Sequence, residues 1–350
     1  MGGDHLGTGI SGMGRIGRLL VRRMFAENEP AVKLSAINSI YPAETVAHLL
    51  RYDSVHGKWD ADVKVDGGDL VINGHYIKVV CERDPRNIPW RELGVKLVLD
   101  STGKFNNREG ARQHFEAGAS QVIITAPGKD MDITIVMGVN DRLFDPGLHK
   151  LLSTASCTTN CLSPVLAVLD QSLQIKRGWV TTVHAFTSDQ NHLDNPHQDL
   201  RRARACTQSI VPTTTGAGKA LKDVLPHLAP HIHGMSLRVP TQDVSVIDLT
   251  VTLSRETSGE EIKSIFRKAA SGEFAPYLAY SEEPLVSIDY TGSSKSAVID
   301  GLSIMASGHE AKILAWYDNE WGYACRVVEL AGLVETKIAG IRETEPVHAH

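Results

Sequence analysis

The chain contains few cysteines and no long apolar stretch, and each shortage excludes a class of protein. Its 350 residues include 5 cysteines, an odd number without the spacing of a disulfide framework, which predicts a reducing compartment and a cytoplasmic protein. No apolar run approaches the ~20 residues that span a bilayer, so we expect no membrane helix. Residues 1–5 lack the basic and apolar regions of a secretion signal, so we expect none.

The chain also has no excess of positive charge. Its 36 basic and 41 acidic residues make it mildly acidic, so we expect no nucleic-acid partner and no anionic membrane surface. The 15 histidines raise the question of a metal site, above all His227, His231 and His233. These lie in a proline-containing segment without cysteine or carboxylate partners at ligand spacing. We therefore interpret them as solvated loop residues and expect no metal.

The first half of the chain alternates strand-like and helix-like runs, which predicts an α/β fold with a parallel sheet. A G-x-G-x-x-G motif at residues 12–17 follows a short glycine-rich strand over residues 6–11. A helix is predicted over residues 18–25 and a second strand over residues 32–38. The motif is weak alone, but this context predicts a turn that holds a pyrophosphate against a helix N-terminus.

Further patterns divide the chain, which is long enough for two domains. An Asn-Gly turn predicts a hairpin over residues 69–80. Buried strands are predicted over residues 96–100, 121–124 and 133–137. Longer alternating runs, at residues 244–252 and 311–317, predict an antiparallel and half-exposed sheet. Residues 188–211 form a long polar segment without a strand pattern, as in functional or interface loops, and a last helix over roughly 320–339 should return to the first domain.

The sequence SCTTNC at residues 156–161 lies between a strand-like run over residues 150–155 and an apolar helix. A cysteine at such a junction lies at the positive end of a helix dipole, which favours the thiolate. The hydroxyl groups and open backbone N–H groups there can hold an oxyanion or a phosphate. Most cysteines are small buried side chains, and Cys161 fits that interpretation. Cys157 differs because His184, near the end of a later strand-like run, is a candidate base or ion-pair partner.

Four motifs occur in order over nearly the whole chain: GMGRIGR at 12–18, ASCTTNC at 155–161, TTVHA at 181–185 and WYDNEWGY at 316–323. Together they resemble the phosphorylating glyceraldehyde-3-phosphate dehydrogenase family, and the cysteine motif is highly specific to that superfamily. The resemblance implies a Rossmann-type parallel-sheet domain over residues 1–156 and 319–350. It also implies a catalytic domain with a mainly antiparallel sheet over residues 157–318, and a homotetramer.

The resemblance further implies the reversible oxidation of D-glyceraldehyde 3-phosphate with inorganic phosphate to 1,3-bisphosphoglycerate, through a cysteine thioester, with hydride transfer to NAD(P). Cys157 would attack the aldehyde, while His184 would keep the cysteine ionised and take the hydroxyl proton. The positions that match the site for the substrate phosphate are Thr187, Asp189 and Arg238. Those that match the site for the attacking phosphate are Ser156, Thr158, Thr215 and Gly216. A dianion needs a guanidinium with hydroxyl and backbone donors, which this set supplies.

A second group of positions matches the family's cofactor site. In the first domain they are Gly12, Gly14, Arg15, Ile16, Gly17, Asn38, Arg83, Thr102, Gly103 and Thr125. Asn319 and Tyr323 match residues that lie against the nicotinamide. The chain departs from the family pattern at Ser11, Met13 and Thr154, where Asn, Phe and Asn are usual.

One departure concerns the choice between NADP and NAD. An NAD-specific enzyme presents an acidic residue to the ribose 2′-hydroxyl, and Ser39 stands at that place. Asn195 occupies a position where NAD-specific relatives often carry Leu. Both changes resemble the NADP-using bacterial branch, so the sequence predicts NADP as the favoured cofactor. The alternative is that Ser39 only caps a helix that begins at Ala43, with NAD still preferred.

Two other functions compete with this prediction. Erythrose-4-phosphate dehydrogenases share the cysteine and histidine but tend to lose the threonines that Thr187 and Thr215 match. A non-catalytic or redox-sensing protein could use Cys157 as a reactive thiol, but would not need a base, two anion sites and a cofactor loop. The sequence leaves open whether the enzyme serves glycolysis or gluconeogenesis.

Overall fold

The computed structural model describes residues 6–26 and 32–344, and these form two compact units. The first unit comprises the chain up to Ile135, Asp141–Ala155 and the residues from Ala324 onward. The second comprises Val136–Asn140 and Ser156–Tyr323. Residues 1–5, where the sequence predicts no secretion signal, lie outside the described residues.

The first unit is built around a nine-stranded sheet with helices between its strands. Its strands are β1 (Gly7–Ser11), β2 (Leu34–Asn38), β3 (Tyr52–Asp53), β4 (Gly57–Lys58), β5 (Val63–Asp66), β6 (Asp69–Ile72), β7 (His75–Val80), β8 (Val95–Asp100), β9 (Gln121–Ile124), β10 (Ile133–Thr134) and β11 (Leu151–Ser153). Its helices are α1 (Arg15–Met24), α2 (Ala43–Arg51) and α3 (Arg108–Glu116).

The strand order of this sheet is β10-β11-β9-β8-β1-β2-β7-β6-β5, while β3 and β4 pair separately. Pairing is parallel from β10 through β7, and β5, β6 and β7 pair antiparallel. Strands β8 and β9 are almost wholly buried, which explains their continuous apolar sequences. The α/β prediction and the Asn-Gly hairpin are confirmed.

Two boundaries differ from the predictions. The strand expected over residues 133–137 ends at Thr134, and the chain then turns, with the Asn140 N–H donating to the Val136 carbonyl oxygen at 3.2 Å. Helix α1 begins at Arg15, three residues before the predicted start, so its first turn includes the last glycine of the motif, Gly17.

The second unit contains an eight-stranded sheet and three helices among its described residues. The helices are α4 (Cys157–Leu173), α5 (Ala217–Val224) and α6 (Gly259–Ser271). The strands are β12 (Ile175–Ala185), β13 (Val211–Thr213), β14 (Ile232–Val239), β15 (Ser245–Leu253), β16 (Leu278–Ser281), β17 (Ala297–Asp300), β18 (Met305–Ser307) and β19 (Glu310–Tyr317).

The strand order here is β13-β14-β12-β15-β19-β17-β16, with β18 paired to β19. Most neighbours are antiparallel, as predicted, but β12 pairs parallel with β14, and β16 with β17. Buried and half-buried residues alternate along β15, which matches the half-exposed sheet predicted from its sequence.

The remaining segments follow the predictions with two differences. The whole stretch between Ala185 and Val211 is described and contains no strand, as predicted. His233 lies within β14, so the prediction that it is a loop residue is wrong; its ring packs against Trp179 of the neighbouring strand. The last helix, α7 (Trp321–Thr344), is longer than predicted, and its residues from Ala324 belong to the first unit. Across the described ranges, no helix has both the length and the apolar character needed to cross a membrane.

Candidate active site

A sharp change of backbone direction precedes the cysteine motif. Ala155 adopts φ 55°, a left-handed conformation that is uncommon outside glycine and often occurs at functional sites. The strand predicted over residues 150–155 therefore ends at Ser153. Cys157 is the first residue of α4, and Ser156 caps the helix because its hydroxyl oxygen accepts from the Thr159 N–H at 3.1 Å.

Cys157 and His184 are in contact. The Cys157 Sγ atom lies 3.4 Å from Nε2 of His184, and Nδ1 of His184 lies 2.6 Å from the carbonyl oxygen of Ala185. A carbonyl oxygen only accepts, so Nδ1 carries a hydrogen in this arrangement. The lone pair of Nε2 then faces the thiol, and His184 is oriented to accept a proton from it.

The surroundings of this pair act against an isolated charge on either residue. Burial raises the pKa of the Cys157 thiol, although the nearby Arg238 charge acts in the opposite direction. Burial, followed by the same Arg238 charge, lowers the pKa of His184 to about 3. The thiolate favoured by the helix position is thus opposed by desolvation. Thiolate and imidazolium are best stabilised when they form together, by transfer of one proton across the contact.

Arg238 lies beside His184 because of strand register. In the parallel pair of β12 and β14, Arg238 stands directly opposite His184. Its Nη1 lies 3.1 Å from the Ala185 carbonyl oxygen and 3.0 Å from His184 Nδ1, so two donors share one carbonyl. The Nε atom of Arg238 is buried and has no hydrogen-bond partner within the described part of the chain. The guanidinium therefore keeps donor capacity for an anion.

The other predicted substrate residues fall into three places. Thr187 and Asp189 follow β12, where the Asp189 carboxylate forms an ion pair with Arg202. Thr215 and Gly216 lie at the start of α5, where they line a separate cleft of about 510 Å³. Thr158 is the second residue of α4, next to the thiol.

The first unit contains a cleft of about 310 Å³ at the carboxyl edge of its parallel strands. Six of the predicted cofactor residues line it: Gly12, Gly14, Asn38, Ser39, Arg83 and Thr102. The tightness of the turn requires glycine at position 12, because Gly12 has φ 95° and a Cβ there would lie 2.7 Å from the Thr102 nitrogen. A Cβ on Gly17 would lie 2.0 Å from the Gly12 oxygen, so α1 packs directly on the turn.

Four further predicted cofactor residues of the first unit do not line this cleft: Arg15, Ile16, Gly103 and Thr125. Ile16 lies in the first turn of α1, and the guanidinium of Arg15 pairs with Asp53, which holds the pKa of that carboxyl below its usual value. Gly103 has φ 69°, and the Thr125 hydroxyl donates to the Asp100 carbonyl oxygen at 3.1 Å.

Three predicted cofactor residues belong to the second unit. Asn319 accepts from the Ser245 hydroxyl at 2.7 Å, and Tyr323 is buried. Asn195 is exposed in the long loop after β12, where its N–H donates to the Ala203 carbonyl oxygen at 3.0 Å.

The alternative role for Ser39, as the cap of α2, is wrong. The residue at the cap position is Pro42, and the Ser39 hydroxyl oxygen instead accepts from the Tyr41 N–H at 3.1 Å. Ser39 lies one residue beyond β2 and lines the cleft, so its position is compatible with a contact to a bound nucleotide.

Sequence reasoning missed a buried chain of polar groups behind Thr102. Trp90 Nε1 donates to Nδ1 of His114 at 3.1 Å, and His114 Nε2 lies 3.1 Å from an Asp100 carboxylate oxygen. The other Asp100 oxygen accepts from the Thr102 N–H at 2.8 Å and from its hydroxyl at 2.6 Å. An Asp at the end of a predicted parallel strand was a usable signal, whereas nothing local marks Trp90 or His114.

The parallel sheet, the glycine turn and the cleft of the first unit define a Rossmann-type dinucleotide-binding protein. Residues 6–108 match the family model described as "Glyceraldehyde 3-phosphate dehydrogenase, NAD binding domain". Residues 156–319 match the model of the C-terminal domain of the same family. The chain belongs to the glyceraldehyde-3-phosphate dehydrogenase family, and the matched domain supports a nicotinamide cofactor.

Curated relatives agree with this assignment over nearly their whole length. The chain is 54% identical to glyceraldehyde-3-phosphate dehydrogenase of Geobacillus stearothermophilus over 331 residues, which are 94% of this chain and 98% of the relative. It is 52% identical to glyceraldehyde-3-phosphate dehydrogenase 2 of Bacillus subtilis (strain 168) over 322 residues, 92% of this chain and 94% of the relative.

Proposed function

We propose that this protein is a phosphorylating glyceraldehyde-3-phosphate dehydrogenase, which converts D-glyceraldehyde 3-phosphate and inorganic phosphate reversibly to 1,3-bisphosphoglycerate with NAD(P). The observation that carries the proposal is the contact of 3.4 Å between Cys157 Sγ and Nε2 of a histidine whose other nitrogen is held by a carbonyl. Arg238, at the side of that histidine, supplies the positive charge that a phosphorylated substrate requires.

The chemistry follows from this geometry. Cys157 Sγ attacks the aldehyde carbon, and the thiol proton passes to His184 Nε2 and then to the new alkoxide oxygen. His184, neutral again, takes that hydroxyl proton back as the carbon is oxidised to a thioester. A bound nicotinamide ring supplies the acceptor for the hydride. When phosphate attacks the thioester carbon, the departing thiolate recovers its proton from His184.

Two anion sites complete the proposal. Arg238 with Thr187 binds the phosphate of the substrate, and Asp189 contributes by holding Arg202 in place. The attacking phosphate binds to the hydroxyl and backbone donors at two helix N-termini. These donors belong to Ser156, Thr158, Thr215 and Gly216. The threonines Thr187 and Thr215 are both present, which supports glyceraldehyde 3-phosphate over erythrose 4-phosphate as substrate.

For the cofactor, we propose that the cleft of the first unit holds the adenosine and pyrophosphate. Residues 12–17 surround the pyrophosphate, and Thr102, Gly103 and Thr125 match the walls of the nicotinamide pocket. Asn319 and Tyr323 match residues that lie against the nicotinamide. The corresponding domains would be residues 1–156 with 319–350, and residues 157–318. The compact units are compatible with this division except at residues 136–140, Ser156 and residues 319–323. We also propose a cytoplasmic homotetramer, which would cover exposed apolar side chains such as Trp179 and Ile210.

A direct test is a steady-state assay of the purified protein with both aldehydes and both cofactors, with and without phosphate. We expect turnover of glyceraldehyde 3-phosphate that depends on phosphate and greatly exceeds turnover of erythrose 4-phosphate. A preference for erythrose 4-phosphate, or turnover that is indifferent to phosphate, would contradict the proposal.

We propose further that NADP is used at least as well as NAD. Ser39 lies in the cleft wall where a carboxylate would repel a 2′-phosphate, and the exposed Arg83 lines the same cleft. Lys104 and Arg18 also line it, so its basic residues outnumber the one acidic residue, Glu82. Asn195 of a neighbouring subunit would add a polar contact near the adenosine.

Replacing Ser39 with aspartate should restore a preference for NAD. A carboxylate accepts from the ribose hydroxyls and repels a 2′-phosphate by ~2 kcal/mol at partly screened distances, or roughly 30-fold. The measurement is the ratio of kcat/KM for NADP to that for NAD. Ser39→Asn is the matched control, because it adds the same volume without charge and should keep the original ratio. If the unmodified protein already favours NAD by about tenfold, the role of Ser39 is disproved while the dehydrogenase activity stands.

A further inference from the structure

Three buried hydroxyl groups form a continuous chain beside the first turn of α4. The Tyr317 Oη atom lies 2.9 Å from Thr158 Oγ1 and 2.8 Å from Thr182 Oγ1. Thr158 is the second residue of α4, Thr182 lies within β12, and Tyr317 ends β19, so three elements meet at one phenol. The Tyr317 ring is edge-on to the His184 ring with centroids 5.9 Å apart, which places the chain at the Cys157–His184 pair.

Which of these three hydroxyl groups donates and which accepts follows from the need to pair each buried hydrogen. Thr182 is 1% exposed, and within the described residues its hydroxyl bonds only to Tyr317. A buried donor without an acceptor is costly, so Thr182 donates to Tyr317. Tyr317 then donates to Thr158, because a hydroxyl carries one hydrogen. The reverse order would leave the Thr182 hydrogen unpaired in the interior.

The consequence concerns the hydrogen of Thr158. Because its oxygen accepts from Tyr317, its own hydrogen points away from the phenol, toward Cys157, where a hydrogen bond from the Thr158 side chain acts to lower the pKa of the thiol. Burial raises the pKa of Tyr317 above its usual value, so the phenol keeps its proton and remains a donor. Donors in a chain polarise one another, which strengthens the last bond when its acceptor is an anion.

We propose that Tyr317 is a positioning residue for the phosphate step: it orients the Thr158 hydroxyl as a hydrogen-bond donor to the phosphate that attacks the thioester. This inference rests on the proposed function and assigns Tyr317 to its phosphate step. Thr158 lies in the first turn of a 17-residue helix, where open N–H groups also favour an anion.

The geometry separates this role from the oxidation step. His184 is held by the Ala185 carbonyl through Nδ1, and its Nε2 faces Cys157 directly, so neither contact passes through Tyr317. The Thr158 hydroxyl also acts to lower the pKa of Cys157, but burial and the Arg238 charge act on that thiol more strongly. Loss of the Tyr317 hydroxyl should therefore weaken phosphate use far more than acylation of the cysteine.

The test is Tyr317→Phe, assayed in two ways. A burst of reduced cofactor without phosphate reports oxidation and thioester formation, while the steady-state KM for inorganic phosphate reports the second step. We expect the KM for phosphate to rise about tenfold or more, as for a lost hydrogen bond to a charged group. The burst rate should stay within about twofold of the unmodified protein.

Two further variants make the result specific. Thr182→Val leaves Tyr317 free to donate to Thr158, so the KM for phosphate should rise less than in Tyr317→Phe. Tyr290→Phe removes a phenol from another buried tyrosine of the same unit, stacked on Trp316 with centroids 5.4 Å apart, and should change neither measurement. If Tyr317→Phe is recovered unfolded, the double variant with Thr182→Val leaves no unpaired Thr182 hydroxyl and serves in its place.

Three outcomes would overturn the inference. An unchanged KM for phosphate in Tyr317→Phe would show that the phenol does not orient Thr158. An equal loss of burst rate and phosphate use would show that Tyr317 supports the Cys157–His184 pair instead. An unmodified protein that gives a burst but no turnover with phosphate would contradict the proposed function itself, before any variant is compared.

Discussion

Replacing Cys157 with serine should abolish oxidation almost completely while leaving the fold and cofactor binding intact. A serine hydroxyl is far harder to ionise than a thiol, and His184 at 3.4 Å cannot compensate for that difference. We expect a loss of about 10³-fold or more in the burst of reduced cofactor, measured by stopped-flow absorbance. Cofactor binding, followed by fluorescence titration, should be unchanged.

The chain supplies a matched control in the same helix. Cys161 lies one turn further along α4, is fully buried, and has its Sγ 3.9 Å from the Ala315 carbonyl oxygen. Burial raises its pKa well above the usual value, so it is held as a neutral thiol. Cys161→Ser should retain the burst. Substantial turnover by Cys157→Ser would show that Cys157 is not the nucleophile. Loss of the burst in Cys161→Ser alone would show the same.

Replacing His184 with asparagine should lower the rate of oxidation by ~10² to 10⁴, the usual contribution of a positioned general base. The asparagine amide can still donate to the Ala185 carbonyl, but nothing then accepts the thiol proton. Because burial raises the pKa of the Cys157 thiol, the variant must ionise it against that cost. Its burst rate should therefore continue to rise as the pH increases from neutral to alkaline values, where the unmodified protein has already reached a plateau.

The rate of alkylation of Cys157 by iodoacetamide across the same pH range gives an independent measure of thiolate formation. His192→Asn is the matched control, since His192 Nδ1 lies 3.3 Å from the Sγ of Cys206, a second histidine–cysteine contact in the same unit. That variant should leave both profiles unchanged. If His184→Asn keeps the original pH profile, His184 has only a structural role.

Local sequence predicted the features that depend on a few adjacent residues. The glycine motif indicated the turn before α1, because only glycine tolerates φ 95° at Gly12 and the close approach of α1 at Gly17. The Asn-Gly pair indicated the hairpin of β6 and β7, and strict alternation indicated the half-buried β15. The position of Cys157 at a helix start could likewise be predicted, since Ser156 is a strong helix cap.

Features that depend on non-local pairing could not be obtained in this way. His184 and Arg238 are 54 residues apart, and they meet only because β12 and β14 pair in parallel with one particular register. A shift of one residue would turn Arg238 to the other face of the sheet. The sequence pattern predicted a mainly antiparallel sheet but could not identify the parallel pairs, because strand alternation is the same for either direction of pairing.

The sequence by itself determined the family, the fold class and the glycine turn, and it predicted Cys157 and His184 as the catalytic pair. Only the tertiary structure decided how these groups are charged and oriented. Burial opposes the thiolate that the helix position favours, and the Ala185 carbonyl selects the tautomer of His184. The chain from Thr182 through Tyr317 to Thr158 joins two strands and a helix. Desolvation and hydrogen-bond direction depend on every atom around a group, and those atoms come from distant parts of the chain.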